Sequence, residues 1–440
     1  MKAILVFFLC MIVYLKPSCA QLWQFPEGKN RVEIPFEFIN NLIVISVQLN
    51  NESLSFILDN GVKETLLFGQ VDSLHLKNTS SYVFQGFGIG KPIEGLMSKN
   101  NKLVIGNAVD SNHHLYVVTD TTFNLSKNIG VYIHGIIGST FFRNNVVAIN
   151  YVKRKIILAR HIEDLGIRMS KYHSYPLLIE NDRAYLKAAF KSNDQQYDQQ
   201  KVLLDLGNSD PMLLFANEIE NYKISTPYIR DYLGFGFNGA VYGLKNRIEA
   251  LFIGDYKVKL PIVSYPDSDS YDRTKIAKDR VGSIGNQILS RFYLVFDYPN
   301  NKLYARSNRN FKKPYTLDMS GIEVVHGGFE FVKHRVMDLT KKGEDGSTVI
   351  NFSAEVNYII ELHNNYLISE VRPDSPAQNA GLQIGDKLLK INGKKVGTMK
   401  LQAIKSKLQA GQNKLIKIQI SRNQEIKDFE FRLVDPLYLP

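Results

Sequence analysis

Two short stretches of the chain carry an acid where chemistry could use one. Phe56-Ile57-Leu58-Asp59-Asn60-Gly61 and Val202-Leu203-Leu204-Asp205-Leu206-Gly207 each end an apolar run in Asp-x-Gly. A glycine two residues after an acid lets the backbone turn sharply and aim N–H groups at the carboxylate. Two carboxylates brought within a few ångströms cannot both ionise, so they share one proton. The charged one can then take a proton from a bound water while the protonated one polarises a carbonyl. Hydrolysis by that route needs no covalent enzyme intermediate.

The elements around the two acids repeat. Counting from Asp59, Gly86-Phe87-Gly88 starts 27 residues on, Leu103-Val104-Ile105-Gly106 at 44, Gly135-Ile136-Ile137-Gly138 at 76 and Asn150-Tyr151 at 91. Counting from Asp205, Gly234-Phe235-Gly236 starts at 29, Leu251-Phe252-Ile253-Gly254 at 46, Gly282-Ser283-Ile284-Gly285 at 77 and Asp297-Tyr298 at 92. This order predicts two homologous lobes, 21–165 and 166–312. Both read as β-rich. Leu42–Leu49 and Tyr185–Phe190 are apolar runs bounded by Asn, Asp and Ser turns such as Asn50-Asn51-Glu52-Ser53. Tyr298-Pro299-Asn300-Asn301 reads as a hairpin turn.

The duplicated apolar–apolar–Asp–x–Gly motif, the glycine-bearing segment about 27 residues later and the apolar–apolar–Gly motif near each lobe end resemble the pepsin/retropepsin-type aspartic proteases. The resemblance covers residues 30–308, with lobes of the size of bacterial retropepsin-like members joined in tandem. It implies a mostly β, bilobal fold of two retropepsin-like barrels. Asp59 and Asp205 would be the catalytic pair at the lobe interface. Asn60, Gly61, Leu206, Gly207 and Ser209 would support the active loops, with Ile136-Ile137-Gly138 and Ser283-Ile284-Gly285 packed beneath them. Gly86, Phe87, Gly88, Gly234, Phe235 and Gly236 are the flap candidates. Two departures stand out. The family places Thr or Ser between Asp and Gly, and its hydroxyl cross-bonds the loops; here Asn60 and Leu206 take those positions. Asn can donate and accept, Leu cannot, so the reciprocal bonds are lost or rebuilt. Lys63 beside the dyad would favour two ionised aspartates.

The last quarter reads as a separate module. Residues 313–321 form a linker containing Lys313-Pro314. Beyond it come Tyr366–Val371, Ser375-Pro376-Ala377, Ala380-Gly381-Leu382, Gly385-Asp386 and Asn392-Gly393. Ser375 suits an N-cap with Pro376 at the first helical position, and Gly381 suits the stop. Leu401–Leu408 puts apolar residues at helical spacing, and Leu415–Ile420 alternates as a strand. The string resembles a bacterial PDZ domain, an α+β unit over 322–440. The resemblance implies binding of extended peptides or peptide C-termini by strand addition. Apolar residues of the 401–408 helix would line the groove, and Gly327-Gly328-Phe329 is a candidate carboxylate-binding loop.

The remaining composition mostly excludes. The 440 residues carry 54 Lys and Arg against 43 Asp and Glu, a formal charge of +11. The basic residues are scattered, with no basic helix or aromatic RNA motif, so no nucleic acid is expected. Cys10 and Cys19 are the only cysteines. Lys2, an apolar run from Ala3 to Leu15 and Ser18-Cys19-Ala20 make a secretory signal peptide, residues 1–20, cut before Gln21. At 1.5 Å per residue that run spans about 20 Å, short of a ~30 Å bilayer core. An exported chain, periplasmic or extracellular, without transmembrane segment after signal removal is therefore expected. Gly234–Gly239 fits G-x-G-x-x-G, but in a β-rich lobe rather than at a helix start. Adjacent His113-His114 has no metal-ligand spacing and reads as a surface turn. Asp267, Asp269 and Asp272 lack the Gly and distal Glu of an EF-hand. No metal and no cofactor are expected. The activity expected is an aspartic-type endopeptidase acting on peptides or unfolded proteins. The alternative is a catalytically inactive peptide-binding protein of the cell envelope that retains the protease fold.

Overall fold

The computed structural model describes residues 23–69, 74–84, 93–119, 125–236, 239–337, 340–342, 348–350 and 356–438. The expected signal segment 1–20 and the flap candidates Gly86, Phe87 and Gly88 lie outside the described residues. The described chain is mostly β.

In the first half, β1 (Arg31–Pro35), β2 (Leu42–Leu49), β3 (Glu52–Leu58), β4 (Thr65–Phe68), β5 (Ile93–Ile105), β6 (Ala108–Val118), α1 (Leu125–Ile129), β7 (Gly135–Ile137), β8 (Val146–Asn150) and β9 (Lys155–Ala159) follow in order. β2 is buried on both faces at its start and alternates towards its end, as a strand running from core to margin should. It turns into β3 at Asn50-Asn51, both with positive φ, 48° and 80°. Asn tolerates that left-handed turn, which matches the twist of a hairpin. In the second half come β10 (His173–Pro176), β11 (Arg183–Ser192), β12 (Gln195–Asp205), β13 (Met212–Leu214), β14 (Tyr228–Gly236), β15 (Gly239–Arg247), β16 (Ile262–Pro266), β17 (Arg280–Gly285), α2 (Asn286–Leu289), β18 (Phe292–Asp297) and β19 (Lys302–Ser307). The β11–β12 turn, Asn193-Asp194, has φ of 53° and 60°, the same device as in the first half.

The halves follow the same strand path. β3 runs parallel to β7, β4 antiparallel to β7, and β4 parallel to β6. In the second half β12 runs parallel to β17, β13 antiparallel to β17, and β13 parallel to β16. They join in a six-stranded sheet of order β1-β9-β8-β18-β19-β10, three strands from each half. At its middle β8 pairs antiparallel with β18, Val146 opposite Asp297 and Asn150 opposite Tyr293. One apolar core runs through both halves, including Phe56, Phe142, Leu204 and Phe296.

The C-terminal unit holds β20 (Ile322–Met337), β21 (Val356–Val371), α3 (Pro376–Ala380), β22 (Lys387–Ile391), α4 (Leu401–Leu408), β23 (Leu415–Arg422) and β24 (Glu425–Arg432). The strands lie in the order β20-β21-β22-β23-β24, so β20 is an edge. Ser375 caps α3 by accepting the Gln378 N–H, and Gly381 ends it at φ 98°. Two expectations are corrected. Ile404 is fully buried in this unit's own core, beside Leu401 and Leu408, so it lines no groove. Gly327-Gly328 is a bulge inside β20, where the register shifts between His326 and Phe329, rather than a loop at a strand's end.

Segment 313–321 is no free tether. Tyr315 and Leu317 sit in the core of the two halves and Met319 in that of the C-terminal unit. After β24 the chain returns to the second half, where Leu437 joins the core and Asp435 pairs with Arg247 at 3.0 Å.

Candidate functional site

β3 and β12 deliver Asp59 and Asp205 to facing loops between the halves. Each aspartate leaves its strand beside the segment that pairs in parallel with it. The Asp59 N–H donates to the Ile137 carbonyl at 2.9 Å, and Asp205 stands opposite Gly285. The two segments beneath the loops need glycine for space. A Cβ on Gly138 would lie 2.4 Å from the Glu64 carbonyl oxygen, and one on Gly285 2.0 Å from that of Asp210.

The carboxylates meet. A Cβ on Gly61 would stand 2.9 Å from Asp205 Oδ1 and 3.0 Å from Asp59 Oδ1, so both oxygens touch one point. A Cβ on Gly207 would stand 2.1 Å from Asp59 Oδ2. Each acid is held by its own loop. The Gly61 N–H donates to Asp59 Oδ1 at 2.7 Å, and the N–H groups of Gly207 and Asn208 both donate to Asp205 Oδ1 at 3.1 Å. Both aspartates are half-buried, and Asp59 lines the cavity above them.

The cross-links between the loops are rebuilt with other residues. The Leu206 N–H donates to Asn60 Oδ1 at 2.9 Å across the interface. The Leu206 side chain is fully buried in the core and makes no polar link. Its carbonyl accepts instead from Asn286 Nδ2 at 3.2 Å, and Asn286 Oδ1 accepts from the Tyr151 hydroxyl of the first half at 2.6 Å. Asn286 and Tyr151 are buried, so this chain of bonds is shielded from water. The matching set on the other side is incomplete. The Asn60 side chain lies within reach of the Tyr298 hydroxyl, but Asn60 Nδ2 and the Tyr298 and Ser139 hydroxyls are buried without a hydrogen bond of normal geometry.

Charge is distributed unevenly over the pair. Burial and then the neighbouring Asp205 push Asp59 up to about 7, against the opposing pull of the Gly61 and Val62 N–H groups. Burial raises Asp205 too, but the Arg280 guanidinium, the Gly207 and Asn208 N–H groups and Arg183 all work against the rise. Both carboxyls are thus pushed towards the protonated form, and at Asp205 a guanidinium opposes the push. Lys63 plays no part in this. Its ammonium faces Glu64 at 3.7 Å and Asp182 at 3.9 Å.

Above the pair lies a cavity of about 1000 Å³, lined by Asp59, Gly207, Phe235, Asp318, Arg372 and Lys405 among others. Gly234, Phe235 and Gly236 end β14 of the β14–β15 hairpin, and Phe235 packs against a first-half cluster containing Leu42, Ile57, Leu66 and Ile136. The hairpin carries the C-terminal unit. Tyr242 donates to Glu370 at 2.9 Å, and Arg372 lies 3.6 Å from Asp231. Lys245 sits between Asp231 at 3.6 Å and Asp210 at 3.8 Å, so buried charges run from the second active loop to the C-terminal unit.

Arg280, Arg183 and Asn286 are members of the site that motif reading does not single out, and Tyr151 stands out there only as a landmark of the repeat. Asn286 directly follows the Gly282–Gly285 motif, which is the one signal that could have found it. Ser209 offers its carbonyl to Asn41 at 3.1 Å; no bond of its hydroxyl to either aspartate is seen. His113 is no surface turn. It is buried on β6, with Nδ1 2.8 Å from Asp110 and Nε2 2.9 Å from Thr65. Asp267 pairs with Arg230 and Asp272 caps Thr274. Among the described residues no acid, His or Cys cluster suited to a metal occurs, and no helix is long and apolar enough to cross a membrane.

The family profile of the PDZ domain matches residues 367–422, from the middle of β21 to the end of β23. None of the curated proteins matches the chain. The C-terminal unit is accordingly a PDZ domain, the class of module that binds extended peptides.

Proposed function

We propose that this chain is an exported aspartic-type endopeptidase of pepsin/retropepsin-like bilobal build, periplasmic or extracellular, that hydrolyses peptide bonds of unfolded protein. The observation that carries the reading is the meeting of Asp59 and Asp205, each from an equivalent loop of one half, around a single point above Gly61.

The uneven charge assigns roles. Asp205, ionised, takes a proton from a bound water as the water oxygen attacks the peptide carbonyl carbon. Asp59, protonated, gives its proton to the carbonyl oxygen as that oxygen becomes negative. The tetrahedral carbon then expels the amine, which receives the proton held by Asp205. Asp59 recovers its proton from the hydroxyl as the carbonyl reforms. The products are a carboxylic acid and an amine, and the pair ends as it began. Asn60 and Asn286 position the loops and touch no reacting atom. The PDZ domain, set against the same cavity, is placed to hold substrate.

The inactive binding reading draws its support from the unpartnered Asn60 Nδ2 and the apolar Leu206, which leave one side of the dyad's cross-linking incomplete. One experiment separates the two. Cleavage of a carboxymethylated, unfolded protein is followed from pH 3 to 8 with wild type, Asp59→Ala and Asp205→Ala. The peptidase reading expects cleavage by wild type alone, inhibited by pepstatin. Equal turnover by all three proteins, or none by any, refutes it.

A further inference from the structure

The PDZ domain offers a place where a free peptide C-terminus would dock, and the chain fills it with an acid of its own. β20 is the free edge of the PDZ sheet, and α4 packs across its start, tied to it by the Lys405–Glu323 ion pair. A peptide added to this edge would lie between β20 and α4. The turn 318–322 closes the groove at the last residue of α4, where the Met319 N–H donates to the Leu408 carbonyl at 3.1 Å. Gly321, at φ 87°, turns the backbone so that successive N–H groups converge, an arrangement that binds anions. They converge on Asp318. Its Oδ1 accepts from the Ser320 N–H at 3.0 Å, the Gly321 N–H at 2.6 Å and the Ser320 hydroxyl at 2.8 Å. The Ile322 N–H is taken by the Ser320 hydroxyl at 3.3 Å. The outer ends of the turn are fixed, with the Gly321 carbonyl accepting from Arg372 N–H at 2.7 Å and the Ser320 carbonyl from Ala377 N–H at 3.0 Å. Burial pushes the Asp318 carboxyl up to about 6, against the Ser320 and Gly321 donors and the nearby Arg372 charge. The donors and the charge that would receive a terminal carboxylate are thus all in use.

The far end of the groove is occupied as well. α1 of the first half packs against β20, and a Cβ on Gly130, just beyond α1, would lie 2.6 Å from Leu401 Cβ. The cavity that holds Asp59 reaches the seat, since Asp318, Gly321 and Ile322 also line it.

We infer that Asp318 occupies the carboxylate seat of the PDZ groove in cis, so that the domain does not read free C-termini while Asp318 is in place. This revises the expectation of a terminus-binding module and stands whether or not the dyad is active.

The test uses the full chain carrying Asp205→Asn, so that no probe is cut. A dye-labelled pentapeptide pool, randomised at its last three positions, is made as free acids and as C-terminal amides. Binding is read by fluorescence polarisation. The expected result is equal binding of acid and amide by the parent, and at least a tenfold preference for the acid after Asp318→Ala. Asp318→Asn keeps an oxygen acceptor without the charge and guards against misfolding of the alanine variant; a smaller gain for the acid is expected there. A parent that already prefers the acid tenfold, or well-folded Asp318 variants that gain no preference, overturns the inference.

Discussion

The two aspartate loops carry the same Asp-x-Gly motif and anchor it differently. The first loop places a polar residue, Asn60, after its aspartate, and that side chain reaches across to the Leu206 backbone. The second loop places Leu206 there and buries it in the core. Its outward link comes from Asn286, one residue past the β17 motif, and from Tyr151 of the other half. The electrostatics diverge in the same sense. Burial is the largest influence on both carboxyls; Arg280 opposes it at Asp205, whereas the neighbouring Asp205 adds to it at Asp59. The two loops thus hold the same acid in different surroundings, and the proposed mechanism gives the proton to Asp59 and the charge to Asp205.

The sharpest break of this comparison is at the glycines. Gly207→Ala would drive a methyl into Asp59, 2.1 Å from Oδ2 and 2.2 Å from Cγ, so the loops must part. A hundredfold or greater fall in kcat/KM is expected, with a loss of about 1–3 kcal/mol from overpacking. Gly61→Ala meets only the ends of two carboxylates, at 2.9 and 3.0 Å, and should cost less on both measures. Equal effects would mean that the loops are not packed as asymmetrically as they stand.

Next in size are the two asparagines. Asn286→Ala leaves the Leu206 carbonyl and the Tyr151 hydroxyl without these partners. Each stranded buried group costs about 1–3 kcal/mol. Asn60→Ala strands only the Leu206 N–H, and it also removes an amide nitrogen that has no partner. Urea unfolding should therefore rank Asn286→Ala as the more damaging change.

The smallest effect is a slope with pH. Asp59 rises from its ordinary 3.8 to about 7 in the folded chain. The folded state then holds a proton that the unfolded chain releases. The stability linked to Asp59 is full below about pH 4 and is lost as pH rises through about 7. Asp59→Asn should flatten this part of the melting temperature profile. Cleavage should fall over the same upper range, because both carboxylates then ionise.

Much of this was legible in the residues, for reasons of local chemistry. Asp-x-Gly after an apolar run, the paired Gly motifs and the Ser375–Gly381 helix signals depend on a few neighbours each. What escaped depends on contacts distant in sequence. Arg280 matters because the pairing of β17 with β12 sets it opposite Lys201, from where its charge acts on Asp205. Tyr151 matters because β8 leads it to the join between the halves. His113 misled because adjacency hides strand alternation, which buries His113 and exposes His114. Leu401 and Leu408 are apolar at helical spacing whether they face a groove or a core, and only packing decides between the two. Asp318, in a stretch that reads as linker, gains its meaning from the turn it closes.

The account rests on one proton shared by two carboxylates, and that proton can be observed. Carboxyl-¹³C aspartate is introduced, and the Asp59 signal is identified by its loss in Asp59→Asn. Its titration is then followed in wild type and in Asp205→Asn. The account predicts a wild-type midpoint near 7 that falls when the Asp205 charge is removed. A midpoint near the ordinary 3.8 in both proteins would contradict it.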